Sequence, residues 1–332
     1  MKSLQEWLAF IERQHPASIA LGLERVADVF IRLKVEMPFP VITVGGTNGK
    51  GSTCAMLEAM LRAAGYRTAL YTSPHLVRYN ERVRIAGVEA GDEELAEAFA
   101  AVEASRKGTP LTYFEFGTLA ALWLFSRARI DAAVLEVGLG GRLDAVNVVD
   151  PDCAVLTSVA IDHVDYLGAD REAIGREKAG IFRRGRPAVV ADPDPPQSVL
   201  QAPGQHLLIN RDFGYAEQDR QWSYWGPGGR RGGLEHPALR GRVQLRNAAA
   251  ALCALETLRD RRNNIETPAM GDRDAFGVKL GPAGAVVHVF QVRRGRVVDR
   301  IELLADERDT PGRAVREIAV WTMVEAPMCR GL

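Results

Sequence analysis

Four strand-forming residues, Val41, Ile42, Thr43 and Val44, run into Gly45-Gly46-Thr47-Asn48-Gly49-Lys50-Gly51-Ser52-Thr53, a glycine-rich turn that holds one lysine and ends in two hydroxyls. Residues of these types in this order make a phosphate cradle. Glycine lets successive backbone N–H groups converge on phosphate oxygens, Lys50 adds a mobile positive charge, and Ser52 or Thr53 can reach a magnesium ion. The expected ligand is a nucleoside triphosphate. The usual pattern puts Ser or Thr directly after Gly-Lys; Gly51 intervenes here, so the loop is a variant. A glycine-rich turn alone is often only a tight strand-to-helix connection. The strand before it, the lysine inside it and the amphipathic run 54–61 after it favour the phosphate reading.

In an open parallel sheet, ligands bind outside the carboxyl ends of the strands, so polar residues at such ends are the next candidates. Glu136 closes the apolar run 132–135 and leads into Gly138-Leu139-Gly140-Gly141-Arg142-Leu143-Asp144. Asp162-His163 closes the following strand, and Ser73-Pro74-His75-Leu76 closes the second one. A carboxylate, an imidazole and a hydroxyl beside a phosphate cradle would make a magnesium shell, although imidazole is an uncommon magnesium ligand. Each also has a structural reading: Glu136 as a helix cap or the partner of Arg142, His163 as a hydrogen-bonded core residue, Ser73 as a turn residue. Lys178, near a helix end, would ordinarily be a solvated charge complementing the helix dipole. Held near a magnesium shell, its neutral amine could instead add carbon dioxide and become a carbamate, an anionic oxygen ligand.

The elements that must position these groups follow from periodicity. Strands are predicted at 41–44, 67–71, 132–137, 153–159 and 187–191, with helices at 53–64, 92–104, 116–126 and 170–180. That alternation predicts an α/β fold: a P-loop-containing, mostly parallel sheet with helices on both faces. A small hairpin is expected at 83–88, short strand-like pieces over 205–225, a flexible glycine-rich loop at 226–233 and a strong helix at 246–259. Beyond it, 261–274 is polar and 285–298 reads as a β-hairpin turning at Arg294-Gly295. No internal repeat is present. Beyond about Arg259 the character of the sequence changes, so the chain is expected to divide into 1–258, which holds the phosphate cradle, and a small C-terminal segment, 259–332.

With 332 residues, 47% hydrophobic and 25% charged, the composition is that of an ordinary soluble globular chain. No apolar run approaches the ~20 residues that span a bilayer, and the start lacks a hydrophobic signal core, so a cytoplasmic protein is expected. Cys54, Cys153, Cys253 and Cys329 are far apart and read as buried free thiols rather than disulfides or a zinc site. Lys plus Arg and Asp plus Glu both number 42, so bulk charge gives no reason to expect nucleic-acid binding. The run Arg293-Arg294-Gly295-Arg296 is read as a solvated turn.

Taken together, Gly46-Thr47-Asn48-Gly49-Lys50-Gly51-Ser52, Thr72-Ser73-Pro74-His75-Leu76 with Glu81-Arg82, Thr112-Tyr113-Phe114-Glu115-Phe116, Leu135 through Asp144, and Asp162-His163 with Glu177-Lys178-Ala179-Gly180-Ile181 resemble the folylpolyglutamate synthase/dihydrofolate synthase family of the Mur-ligase superfamily. Leu21-Gly22-Leu23-Glu24-Arg25 and Gln244-Leu245-Arg246-Asn247-Ala248-Ala249 extend the likeness over roughly residues 4–258. The resemblance implies a Mur-ligase central-domain fold and ATP-dependent amide formation. The pterin substrate's carboxylate attacks the γ-phosphate of ATP, and the amine of L-glutamate captures the acyl phosphate. It implies dihydropteroate or a reduced folate as acceptor, Mg2+ as cofactor with room for a monovalent cation and a carbamylated lysine, and a monomer. It places Gly46, Thr47, Asn48, Gly49, Lys50, Gly51, Ser52 and Asn247 against ATP. Ser73, Glu136 and His163 fall on the metal, Lys178 becomes the carbamylated lysine, and Thr112, Phe114, Glu115, Leu143, Asp144 and Ala145 lie against the pterin. Lys50, Glu136, His163 and Lys178 are the catalytic set so implied. For Phe114 and Phe116, ordinary core packing is the alternative.

Two departures stand out. Val146 occupies a position where the family usually has a small or hydroxyl residue. The family's second α/β domain, of about 150 residues, carries an Asp-x-Ala-His-Asn-type motif that is absent here, while 274–300 faintly resembles a segment of the excinuclease family. The alternatives are therefore a catalytically incomplete nucleotide-binding module or another Mur-type amide ligase; residues 112–116 and 21–25 favour folate over a cell-wall precursor.

Overall fold

The computed structural model describes residues 2–15, 17, 19–218, 221–241, 243–261, 273–281, 284–293 and 296–305, with backbone alone from residue 259 onward. Two helices that periodicity did not predict come first. Helix α1 (Leu4–Ile11) starts at Ser3, whose hydroxyl accepts from the amide of Glu6 in a capping box, and α2 is Glu24–Leu33. The chain continues through β1 (Val41–Gly45), α3 (Lys50–Ala63), β2 (Thr68–Tyr71), the hairpin strands β3 (Val83–Ile85) and β4 (Val88–Glu89), α4 (Asp92–Arg106), α5 (Tyr113–Arg127) and β5 (Ala132–Glu136). It then forms β6 (Cys153–Leu156), α6 (Val164–Leu167), α7 (Arg171–Ala179), β7 (Pro187–Val190), α8 (Gln197–Leu200) and β8 (Gln205–Leu208). Strands β9 (Gly214–Glu217), β10 (Trp222–Gly226) and β11 (Gly229–Leu234) precede α9 (Gln244–Arg261), and β12 (Arg273–Gly281), β13 (Gly284–Arg293) and β14 (Arg296–Ala305) follow it.

The main sheet has the order β4-β3-β2-β5-β1-β6-β7-β8, parallel from β2 to β8 with the β3–β4 hairpin added antiparallel at one edge. Strand alternation sends side chains to two faces. Ile42, Val44, Leu70, Val134 and Val155 pack with Cys54 and Leu57 of α3 and Ala249 and Cys253 of α9. Val41, Ala69, Tyr71, Ala133 and Leu135 pack on the other face with Leu95 and Phe99 of α4 and Phe116 and Leu119 of α5. Helices cover both faces, as the near-continuous apolar strands of a buried parallel sheet require. Strand β1 lies between β5 and β6 with Val44 opposite both Glu136 and Val155. The three carboxyl ends are therefore flush, and the chain leaves them at a point where successive connections run in opposite directions, the place where such sheets bind ligands.

The glycine-rich stretch 226–233 is not the flexible loop expected from composition. Gly226 pairs with Gly229 at the tip of the β10–β11 hairpin. Buried Glu256 of α9 accepts hydrogen bonds from the Tyr224 hydroxyl at 2.7 Å, the Gly228 amide at 2.9 Å and Arg231 Nη2 at 2.6 Å. A Cβ at Gly228 would collide with that carboxylate, so glycine serves close approach here rather than mobility.

Contacts divide the chain into two units, Met1–Arg261 and Arg262–Leu332. In the second, β12, β13 and β14 form an antiparallel meander. The arms of the expected 285–298 hairpin lie in β13 and β14, while Arg294 and Gly295 fall outside the described residues, as do most of 261–274, Cys329 and everything after Ala305. Cys54, Cys153 and Cys253 are buried and form no disulfide. No helix among the described residues is long and apolar enough to cross a membrane.

Candidate active site at the carboxyl ends of the sheet

Helix α3 begins at Lys50, three residues earlier than periodicity suggested, so Lys50, Gly51 and Ser52 form its first turn. Amide groups in a first turn lack intrahelical acceptors and are available to an anion. Gly49 caps the helix at φ 88° and Gly46 sits at φ 141°, where a Cβ would collide with Thr157 Oγ1. The loop is held from the β6 side. The Thr47 amide donates to Ser158 O at 2.8 Å, Thr157 Oγ1 donates to Asn48 O at 2.7 Å, and Thr47 Oγ1 donates to Ala160 O at 3.2 Å. Thr157 and Ser158 were not singled out from sequence; a Thr-Ser pair ending a strand carries no signal until β6 is known to adjoin β1. Asn247, at the start of α9, is brought against the loop. Its amide oxygen would lie 2.9 Å from a Cβ on Gly49, and the neighbouring Gln244 Nε2 donates to Ser52 Oγ at 3.4 Å.

Two lysines converge on one carbonyl. Lys50 Nζ donates to Gly46 O at 3.0 Å and Lys178 Nζ donates to the same oxygen at 3.1 Å. Lys178 is 3% exposed. Burial, followed by the charge of Lys50, lowers its pKa to about 8, with Asp162 and Asp144 acting in the opposite direction. Helix α7 carries it there. Asp170 caps the start by accepting from the Ala173 amide at 2.7 Å, and the end is tied to the segment after β5, where the Arg142 amide donates to Glu177 O at 2.8 Å. Arg142 also pairs with the Glu177 carboxylate at 2.9 Å, so it is not the partner of Glu136.

Glu136 is buried and accepts from the Ser73 amide at 3.1 Å, and its carboxylate oxygens would both stand 3.8 Å from a Cβ on Gly51. It therefore faces the first turn of α3. Burial raises its pKa, against the Ser73 hydrogen bond and the charges of Lys50 and Arg82. His163, the left-handed N-cap of α6 at φ 48°, is 49% exposed and lies 3.7 Å from Asp162. It is thus not a core histidine. Among the described residues, no three or more His, Cys, Asp or Glu side chains group closely enough to hold a metal by themselves.

On the other side of β5, Thr112 is the N-cap of α5. Its hydroxyl accepts from the Glu115 amide at 3.3 Å, and Glu115 accepts from the Thr112 amide at 2.8 Å and pairs with Arg25 at 2.6 Å. These two candidates are engaged in a capping box. Phe114 is half-buried; its ring lies over Gly138, where a Cβ would intrude on it, and 6.0 Å from the Tyr71 ring. Asp144 is 4% exposed and accepts from the Leu139 and Val146 amides at 2.9 and 3.0 Å. Burial raises its pKa to about 7. Leu143 is partly buried beside it, and Ala145 and Val146 are buried in the following short turn. A flat ring face and a carboxyl that titrates near neutrality suit a planar heterocycle rich in N–H groups.

The family model of the Mur ligase middle domain matches residues 44–255. The chain is 47% identical over 284 residues to the dihydrofolate synthase/folylpolyglutamate synthase of Escherichia coli strain K12, which covers 84% of this chain and 65% of that protein. It thus spans just under two thirds of that relative's length. The structure of E. coli FolC in complex with DHPP and ADP matches with a TM-score of 0.74 at 40% identity, over 98% of this chain and 76% of that one. A bifunctional folylpolyglutamate synthase/dihydrofolate synthase with Mn, AMPPNP and L-glutamate bound matches with a TM-score of 0.72 at 40% identity, over 98% and 75%.

Proposed function

The chain belongs to the Mur ligase family, in its dihydrofolate synthase/folylpolyglutamate synthase branch, and from that premise we propose that it is an ATP-dependent amide ligase of the cytoplasm. It adds L-glutamate to dihydropteroate, to the glutamate tail of a reduced folate, or to both, working as a monomer with residues 1–258 as the catalytic domain. The observation that carries the reading is the meeting of Lys50, Lys178 and Glu136 at the Gly46–Ser52 loop, with Phe114 and Asp144 across β5.

The acceptor's carboxylate oxygen attacks the γ-phosphorus, the bond to the β-phosphate oxygen breaks, and ADP leaves. The glutamate amine then attacks the acyl carbon, phosphate departs, and the ammonium nitrogen gives up a proton. Lys50 and the loop N–H groups neutralise charge that grows on the transferring phosphoryl group. Asn247 contacts the nucleotide. A buried carboxylate facing the first turn of α3 is the hard oxygen donor that Mg2+ takes, so Glu136, with Ser73 and His163, would hold the ion. A magnesium ion bound there would offset the charge of the phosphate oxygens. Lys178, whose amine is already partly neutral near pH 8, would add carbon dioxide and release a proton to become an anionic carbamate. Thr112, Phe114, Glu115, Leu143, Asp144 and Ala145 would surround the pterin.

The test is ADP release measured with ATP, Mg2+ and either dihydropteroate or a reduced folate, with and without L-glutamate. Release that needs both acceptor and glutamate is expected. ATP binding with no glutamate-dependent turnover would select a nucleotide-binding module instead.

A further inference from the structure

Two arginines are buried among the described residues, Arg82 at 9% exposure and Arg106 at 8%. Arg106 has its counter-ion, with Glu103 at 2.5 Å. Arg82 has no carboxylate within 4.0 Å among the described residues. A buried charge without a counter-ion is strongly unfavourable unless something outside the protein supplies one.

What surrounds Arg82 holds the guanidinium without neutralising it. Nε donates to His75 Nδ1 at 2.8 Å, and the Tyr79 and Tyr113 ring centres lie 5.5 and 5.7 Å from the guanidinium carbon. The Tyr71 hydroxyl lies close enough to feel the Arg82 charge, which favours its ionised form against burial. A guanidinium carries five N–H donors, of which His75 takes the one on Nε, leaving the fork of the two terminal nitrogens for a carboxylate. A cavity of about 420 Å³ is lined in part by His75 and Tyr113, the side chains flanking Arg82. The acidic residue lining that cavity, Glu12, is beyond ion-pair distance of Arg82.

The position is informative too. The Arg82 carbonyl accepts from the Thr72 amide at 2.9 Å, next to Ser73, whose amide binds Glu136. Tyr71, whose hydroxyl feels the Arg82 charge, lies against Phe114. Arg82 is thus linked on one side, through Thr72 and Ser73, to the Glu136 corner and on the other, through Tyr71, to Phe114. Its charge is felt by the Glu136 carboxyl.

We propose that Arg82 binds the carboxylate of the acceptor, the group that the reaction proposed above activates, and this rests on that reading of the acceptor as a pterin carboxylic acid. The guanidinium neutralises the nucleophile's charge as it approaches an equally anionic phosphate, and fixes which oxygen faces phosphorus.

The experiment measures dissociation constants of the full chain for dihydropteroate and for its carboxamide, in the wild type and in Arg82→Met. The wild type is expected to prefer the acid by about tenfold or more, the range of a charge-assisted hydrogen bond. Arg82→Met should bring the preference to about one, with ATP affinity unchanged. Its Tm should not fall, because an apolar side chain between Tyr79 and Tyr113 replaces an uncompensated charge. Retention of the wild-type preference in Arg82→Met would overturn the assignment; Arg82→Gln, which keeps a donor for His75, serves as the same test should the first variant not fold. A wild type that binds neither compound would remove the acceptor reading itself, and the inference with it.

Discussion

Lys50 and Lys178 direct two amines at the single carbonyl oxygen of Gly46, and the more buried of them carries the lowered pKa. Such an arrangement is unfavourable alone and favourable beside a polyanion. Lys50→Ala should therefore lower glutamate-dependent ADP release by at least about a hundredfold while leaving the melting temperature within a few degrees; full turnover would take the loop out of the mechanism. Asp144 makes a prediction about pH. Its carboxyl titrates near 7 in the folded chain instead of at the ordinary 3.8 because it is buried. Between those values the native state holds a proton that the unfolded state has lost, so stability falls as pH rises through this window. Asp144→Asn removes that slope. In urea unfolding at pH 4, 5.5 and 7, the variant should gain on the wild type by on the order of 3 kcal/mol across the range. Parallel curves would show that the carboxyl is not held protonated.

At the scale of elements, position follows from caps as much as from strands. Thr112 and Glu115 close a box on the first turn of α5, which sets the angle at which Phe114 meets Gly138. Thr112→Ala should cost about 1 kcal/mol in chemical denaturation and raise the acceptor KM only through looser placement of Phe114. A tenfold KM rise with no loss of stability would instead put the Thr112 hydroxyl on the substrate. Local sequence patterns located the strands because each is a short apolar run bounded by turn residues. They missed α1 and α2, and they mistook 226–233 for a loop because glycine is usually a breaker, whereas here it admits the Glu256 carboxylate against the backbone.

The whole molecule resolves into the units Met1–Arg261 and Arg262–Leu332, and the candidate site draws every one of its side chains from the first. A fragment ending at Arg261 should melt in one cooperative transition and bind ATP with Mg2+. Non-coincident unfolding by fluorescence and far-UV circular dichroism would show that the first unit cannot stand alone. Local residue order was enough to locate the glycine-rich strand-to-helix loop, the parallel-sheet class and the chemical types at the strand ends, because glycine placement, strand periodicity and a lysine within a turn act over a few residues. Only the folded chain decided that Lys178 reaches Gly46 from 132 residues away and that Thr157 and Ser158 brace the loop. It alone left buried Arg82 without a carboxylate partner among the described residues. Each of these depends on strand order and on exclusion of water, and neither is encoded in the spacing of residues along the chain.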